Sequence, residues 1–168
     1  MAIPVLIAIS LMWIPVGLLN LGKGEAKGTG VLTLMVGTVT IIGAIIQATI
    51  FNDPWVGSLL FAYGLFYNTV GYALASGAKD LKFVGNASIT VGLISIVYII
   101  LSLAGPEALR SDFLALACAG YLVLYIMVWL NTYGWLSGKV TGWSLIIWTF
   151  VGLWWPAFSL VATGQLPF

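Results

Sequence analysis

The chain has 168 residues, of which 61% are hydrophobic and 7% are charged, and its net charge is +1. Six basic and five acidic side chains are too few to cover the surface of a water-soluble domain of this length. The composition therefore indicates an integral membrane protein, and the near-neutral charge argues against a nucleic-acid partner.

Six apolar runs follow one another along the chain, and each is long enough for a membrane-spanning helix of about 20 residues. The predicted helices cover residues 3–22, 29–51, 55–75, 84–104, 111–135 and 141–163. The first run lacks a basic n-region, so it is interpreted as a helix and not as a cleaved signal peptide. Because every connection is short, consecutive helices are expected to be antiparallel neighbours in one transmembrane domain spanning residues 1–168.

The basic residues predict the orientation of this all-α bundle in the membrane. Five of the six lie in the first, third and fifth connections: Lys23, Lys27, Lys79, Lys82 and Lys139. Arg110 is the only basic residue in the even connections. Basic residues are retained on the cytoplasmic side of a membrane, so the odd connections are expected to face the cytoplasm and both termini the outside.

No Asp, Glu, Lys or Arg lies inside a predicted span, apart from Asp112 at the mouth of the fifth. Pumps, ion-coupled carriers and ion pathways need such groups at membrane depth. Histidine is absent and Cys118 is the single cysteine, so neither a metal site nor a nucleophile with its base can be assembled from the usual residues. We expect no enzyme activity and no cofactor.

Glycines recur at intervals of seven within the second, third and fourth helices. They are Gly30 and Gly37, then Gly57, Gly64 and Gly71, then Gly85 and Gly92. Small residues two turns apart lie on one helix face and let helix backbones approach closely in lipid. The pattern therefore predicts tight helix packing.

The third helix is the most aromatic, with Phe61, Tyr63, Phe66, Tyr67 and Tyr72. Asn68 lies deep in the same helix, where a buried amide is either a helix-to-helix bond or part of a lining. A narrow slot of aromatic rings admits a flat neutral solute and excludes hydrated ions, whose lost hydration it does not replace. These residues predict a passive conduit for small uncharged molecules.

Short motifs are spread along nearly the whole chain: Gly17, Glu25-Ala26-Lys27-Gly28-Thr29, Val36-Gly37, Leu59-Leu60-Phe61, Gly120-Tyr121-Leu122, Gly138-Lys139, Trp143, Ile146-Ile147 and Trp154-Trp155-Pro156-Ala157. Together they resemble the motifs of the AmiS/UreI family of urea and short-chain amide channels. The resemblance implies a homohexameric ring in a bacterial inner membrane, with a separate pore through each six-helix bundle. It also implies a small amide such as urea or acetamide as substrate, and a cytoplasmic urease or amidase as the consumer.

The same resemblance points to pore-lining positions. They are Leu6, Ile9 and Trp13 in the first helix, Phe61 and Leu65 in the third, Leu116, Ala119, Leu122 and Val123 in the fifth, and Trp148 in the sixth. Asn68 shares a helix face with Phe61 and Leu65 and is added to the predicted lining.

The chain departs from the acid-gated urea channels of that family. Several of their fifth-helix tryptophans match Leu116, Ala119 and Val123 here, and a carboxylate in their last helix matches Trp148. Their long histidine-rich loop after the second helix shrinks to Asn52-Asp53-Pro54. We therefore predict no histidine-based acid gating.

Two alternatives to a passive channel remain open from the sequence. One is a secondary transporter that couples amide movement to an ion, and the other is a structural membrane subunit that moves nothing. The sequence does not decide between urea and longer aliphatic amides, because one methylene changes the discrimination by only about 1 kcal/mol.

Overall fold

A computed structural model describes residues 2–165 of the chain, and the regular structure in that range is helical. The helices are α1 (Ala2–Asn20), α2 (Ala26–Thr49), α3 (Pro54–Ser76), α4 (Lys82–Ala104), α5 (Asp112–Thr132), α6 (Gly138–Trp148) and α7 (Trp155–Thr163). A 3-10 turn (Glu107–Leu109) precedes α5, and a π-helix (Thr149–Trp154) joins α6 to α7. The predicted all-α class is confirmed, and each predicted span overlaps one helix or, for the last, the α6–α7 segment.

Side-chain caps determine where several helices begin. The Glu25 carboxylate accepts backbone N–H bonds from Lys27 and Gly28 ahead of α2. Asp53 accepts the Val56 N–H at 3.1 Å ahead of α3, and Ser111 accepts the Leu114 N–H at 3.1 Å ahead of α5. Each cap satisfies a donor that the first helical turn leaves without an intrahelical partner.

Five segments within residues 2–165 are long and apolar enough to cross a membrane: Ile3–Asn20, Ala26–Thr49, Lys82–Ala104, Asp112–Thr132 and Gly138–Thr163. Helix α3 has the same 23-residue length as α4, but tyrosines, glycines and Asn68 make it less apolar. All eleven charged residues lie in connections, at caps or in the first two positions of a helix. The long interiors of all the helices are thus free of charge.

The helices pack as antiparallel neighbours, and close backbone contacts show the direction of each pair. Along α2 and α3, Gly30 meets Gly71, Gly37 meets Gly64 and Ala44 meets Gly57. A Cβ on Gly57 would lie only 2.9 Å from the Ala44 carbonyl oxygen. The predicted role of the glycines in tight packing is therefore confirmed for this pair of helices.

The other pairs of neighbouring helices are also antiparallel and in close contact. On α4 and α5, Gly85 lies against Thr132, and Ser88 donates a hydrogen bond to the Tyr125 carbonyl at 2.8 Å. On α1 and α6, the Gly17 and Gly142 backbones touch. Helix α1 also packs against α2, which places α1 between the α2–α3 pair and α6.

The sixth span is not a single α-helix, in contrast to the prediction for residues 141–163. Pro156 has no N–H to continue the ordinary hydrogen-bond ladder, and the Trp155 N–H donates to the Phe150 carbonyl five residues back. Such wide turns occur mainly as local insertions in α-helices. Just before this segment, the Trp148 ring lies against Gly120 of α5, where a Cβ would collide with it.

Candidate functional site

An internal cavity of about 270 Å³ lies among α1, α3, α5 and the first turns of α4 and α6. Its lining comprises Met12, Trp13, Val16, Leu19, Asn20, Phe66, Tyr67, Val70, Leu74, Leu81, Val84, Tyr121, Leu124, Tyr125, Val128, Asn131, Thr132, Thr141 and Leu145. The cavity reaches from the middle of the bundle to the helix ends that join the first, third and fifth connections. That face of the protein carries five of the six basic residues.

Aromatic rings from three helices close the deep end of the cavity. Trp13 meets Tyr121 edge-on with 5.4 Å between ring centroids, and Phe66 meets Tyr125 edge-on at 5.2 Å. Tyr67 follows Phe66 on α3 and is 1% exposed. Edge-to-face contacts at these distances are the favoured geometry for aromatic pairs. We call these five residues the ring layer.

Tyr63 lies behind the ring layer and supports it. Its ring contacts those of Tyr121 and Tyr125, with centroids 5.2 and 5.3 Å away. Its hydroxyl pairs with the Ser95 hydroxyl of α4 at 3.0 Å. The bond ties α3 to α4 beside the rings.

Three lining residues carry a buried polar side-chain atom that completes no hydrogen bond within the described chain: Tyr67, Tyr125 and Thr141. The Tyr67 and Tyr125 hydroxyls and the Trp13 indole lie close enough to interact, but the geometry of a full hydrogen bond is not reached. Buried polar groups are usually paired. The deep end of the cavity is therefore formed by aromatic rings, and the hydroxyl groups of Tyr67 and Tyr125 there could still form hydrogen bonds.

Two asparagines line the cavity at the end away from the ring layer. The Asn20 amide donates to the Val16 carbonyl at 2.9 Å, and the Asn131 amide donates to the Leu136 carbonyl at 3.1 Å. Each bond uses a single N–H of the amide, which leaves further donors and acceptors at the mouth. Between mouth and ring layer the wall is mostly aliphatic.

In the opposite half of the bundle the interior side chains are almost fully buried, and a second, more open pocket of about 240 Å³ lies between α2 and α3. Ile9, Cys118, Leu153 and Ala157 are each at most 1% exposed. Trp55 stacks on Tyr98 with 3.9 Å between centroids, and the Tyr98 hydroxyl donates to the Trp55 carbonyl at 2.9 Å. The described cavity thus leads to the ring layer, and close packing follows beyond it.

No charged side chain is among the cavity-lining residues. In residues 2–165, no group of three or more His, Cys, Asp or Glu side chains is placed to hold a metal ion. The chemistry that the cavity offers is therefore neutral: aromatic faces, aliphatic walls and a few hydroxyl and amide groups.

The predicted first-helix residues lie in the interior of the bundle. Trp13 belongs to the ring layer, and it is the single predicted site residue that lines the described cavity. Ile9 and Leu6 precede Trp13 on α1 and lie beyond the ring layer. Ile9 belongs to the buried core, and Leu6 packs against it.

Four of the predicted lining residues are exposed on the outer surface of the bundle and do not line this cavity. Phe61 and Leu65 on α3 are 42% and 49% exposed, and Leu116 and Val123 on α5 are 56% and 50% exposed. On these two helices the aromatic side chains that line the cavity are Phe66, Tyr67, Tyr121 and Tyr125.

The remaining predicted residues are also away from the cavity. Asn68 lies against Gly37 of α2, and its carbonyl oxygen has no hydrogen-bond partner in the described chain. Leu122 reaches towards Gly92 of α4, Trp148 covers Gly120 of α5 and Ala119 is half-buried. These positions contribute to contacts between helices.

The sequence-based prediction missed the tyrosines of α5 as site residues. A signal was present, because Tyr63 and Tyr67 on one helix and Tyr121 and Tyr125 on another are each spaced by four. Residues at this spacing share a helix face. Two matching aromatic pairs on different helices could have indicated a layer between them.

A family model described as AmiS/UreI family transporter matches residues 1–164. Comparison with curated protein sequences gives no significant match. The fold is similar to a cryo-EM structure of the Helicobacter pylori urea channel in its closed state, with a TM-score of 0.84 and 21% identity over 99% of this chain and 100% of that chain. It is also similar to a crystal structure of the urea channel from that human gastric pathogen, with a TM-score of 0.79, 21% identity and the same coverage. The structural likeness at this identity establishes a shared fold alone, whereas the family match extends over nearly the whole sequence. The chain is an integral membrane protein, and it belongs to the AmiS/UreI family of transporters rather than to a family of enzymes.

Proposed function

We propose that this chain is a passive channel for small neutral amides such as urea, acetamide and propionamide. The observation that carries the proposal is the uncharged cavity, which leads from one face of the bundle to a layer of aromatic rings. Its volume of about 270 Å³ far exceeds the roughly 10–15 Å³ that a single water needs. Solutes of several heavy atoms therefore fit inside.

The lining favours neutral over charged solutes. A bare ion entering it would lose hydration, and neither aliphatic walls nor ring faces would replace that hydration. A flat amide loses less water, and hydroxyl or asparagine groups can take over part of its hydrogen bonding. Tyr67, Tyr125 and Asn131 supply such groups at the two ends of the cavity.

The position of the charges supports passive movement. Coupling to protons or sodium requires an ionisable group at membrane depth. The five acidic residues of the chain lie in caps, in connections or at the first position of α5. This arrangement therefore favours movement of the solute down its own concentration gradient.

Conduction also requires the packed half of the bundle to open. Ile9 and Leu153 would have to separate before a solute could pass beyond the ring layer. The π-helix between α6 and α7 borders this half, and such irregular turns are often found where a helix serves a function. We place the moving part of the pathway there.

We further propose that the chain forms one transmembrane domain in a bacterial inner membrane, with the basic connections in the cytoplasm and both termini outside. The apolar outer faces, which include Phe61, Leu65, Leu116 and Val123, would contact lipid or neighbouring copies in a homohexamer. A cytoplasmic urease or amidase would use the imported amide.

A pair of matched variants tests the conduit directly. Val128 lines the cavity on α5, whereas Val123 is an outward residue of the same helix. Val128→Trp should fill the cavity, while Val123→Trp adds the same side chain to the outer surface. We expect stopped-flow vesicle permeability to urea and acetamide to be high for wild type and Val123→Trp, and near the protein-free level for Val128→Trp.

Size-exclusion profiles and thermal unfolding of both variants would show that each is folded. Equal permeability of Val128→Trp and wild type would refute the cavity as the route. Accumulation of acetamide against its gradient under a proton or sodium gradient would favour the ion-coupled alternative. Permeability of wild-type vesicles no higher than that of empty vesicles would favour a structural subunit.

A further inference from the structure

Three polar residues from three different helices line the cavity at the end away from the ring layer. Asn20 is the last residue of α1, Asn131 lies in the last turn of α5, and Thr141 lies in the first turn of α6. We call these three residues the mouth group. A solute that enters or leaves the cavity by this end passes them.

A glycine leaves the space beside the two asparagines open. A Cβ on Gly138 would lie 3.3 Å from the Asn20 side-chain oxygen and 3.6 Å from the Asn131 side-chain nitrogen. One point therefore lies within contact distance of both amides, and no side chain of residue 138 fills it. Thr141 follows Gly138 by three residues, so the two lie on the same face of α6. The three polar side chains thus border the same end of one cavity.

The hydroxyl of Thr141 is buried but unpaired. Thr141 is 2% exposed, and its hydroxyl completes no hydrogen bond in the described chain. The hydroxyl of Thr132, which also lines the cavity, donates to the Trp129 carbonyl at 2.9 Å. A buried hydroxyl without a partner costs free energy that valine, which has nearly the same shape, would not incur. The contrast indicates that Thr141 serves a ligand that enters the cavity.

The mouth group offers several hydrogen-bond acceptors to such a ligand. Each asparagine uses one N–H in a bond to a backbone carbonyl, which leaves its side-chain carbonyl oxygen and a second N–H. The threonine hydroxyl can donate or accept. A solute with N–H groups can pair with these acceptors. A solute whose nitrogen carries only alkyl groups displaces water without replacing its hydrogen bonds, and sites with polar groups left unpaired discriminate strongly against such analogues.

We propose that Asn20, Asn131 and Thr141 form an entrance that selects solutes with N–H groups, where an amide exchanges part of its hydration for hydrogen bonds to the protein. This inference rests on the proposed conduction of amides. It adds the residues that select and the class that they favour, which is urea and primary carboxamides over N,N-dialkyl amides. The selection takes place at the mouth, before or after the solute meets the aromatic rings.

Two isomeric solutes test this selection. Propionamide and N,N-dimethylformamide contain the same atoms, but only propionamide has N–H groups. Both permeabilities are measured by stopped flow in vesicles that contain the full-length protein, and the values for protein-free vesicles are subtracted. We expect wild type to conduct propionamide at least about fivefold faster than N,N-dimethylformamide, the value of one ordinary hydrogen bond.

Thr141→Val and Asn20→Leu remove polar groups from the mouth with little change in side-chain size. Each should lower propionamide permeability about fivefold and leave that of N,N-dimethylformamide within about twofold of wild type. In thermal unfolding, Thr141→Val should be as stable as wild type or more so, because the deleted hydroxyl has no partner to lose. Thr33→Val is the matched control, since it removes a buried hydroxyl that bonds the Thr29 carbonyl within α2, away from the cavity. It should conduct both solutes like wild type.

Three results would overturn the proposal. Wild type could conduct the two isomers equally, both variants could conduct propionamide like wild type, or both could lower the two permeabilities by the same factor, as a change of shape alone would do. In each case, conduction of propionamide by wild type leaves the channel function standing. Wild-type vesicles that are no more permeable to amides than empty vesicles would overturn both proposals.

Discussion

Replacing Gly71 by alanine tests whether the glycines set the distance between α2 and α3. A Cβ on Gly71 would lie 2.6 Å from the Leu34 backbone nitrogen and 2.9 Å from the Gly30 carbonyl oxygen. These distances fall short of ordinary contact at 3.4 Å by about 0.5 to 0.8 Å. Because both neighbours are backbone atoms, rotation of a side chain cannot relieve the collision and the two helices must move apart.

The magnitude follows from this separation. A gap of about 0.5–1 Å forfeits a quarter to a half of the dispersion energy at each affected contact, and overpacking of this kind costs about 1–3 kcal/mol. Alanine regains up to about 1 kcal/mol of helix propensity. With the full gain in propensity, we therefore expect a net loss of up to about 2 kcal/mol, or a fall of up to roughly 8 °C in the unfolding temperature for a chain of this size.

Gly92→Ala on α4 is the matched control. There a Cβ would meet the flexible end of Leu122 at 3.2 Å and the Tyr125 Cβ at 3.5 Å, so the neighbour can yield and the gain in helix propensity remains. Thermal unfolding of both variants in detergent, followed by tryptophan fluorescence, makes the comparison. If Gly71→Ala unfolds at the same temperature as Gly92→Ala or higher, the two helices are not held together by backbone contact.

Three further predictions concern gating, capping and orientation. Since the chain contains no histidine, urea permeability of vesicles should change by less than about twofold between pH 7 and 5, and a steep acid activation would contradict this. Asp53 caps α3 and accepts a hydrogen bond from the Gln47 amide at 2.9 Å, so Asp53→Ala should lower stability by about 1 kcal/mol in the same unfolding assay. In intact cells, a membrane-impermeant maleimide should label Glu107→Cys but not Lys79→Cys, with buried Cys118 unlabelled in both, and the reverse pattern would invert the proposed orientation.

Much of the fold could be predicted from the sequence. The charges lie outside the helix interiors, so the apolar runs mark where the helices begin and end, and Asp53 and Ser111 are capping residues of ordinary type. Glycines seven residues apart predicted tight helix packing, because small residues on one face let helix backbones approach closely. The positions of the six predicted spans can therefore be read from short stretches of the sequence, without knowledge of how the helices pack.

The inward faces of the helices were decided by the tertiary structure alone. In a water-soluble protein a polar stripe would mark the outer face of each helix, but lipid is as apolar as a protein core. Leu65 and Leu116 therefore look as suitable for the interior as for the lipid-facing surface, and both lie outside. The four-residue spacing of the tyrosines on α3 and α5 marks a shared face on each helix, but it does not say which helices meet. Only the packing of α1, α3 and α5 brings Trp13, Tyr67 and Tyr125 to one cavity.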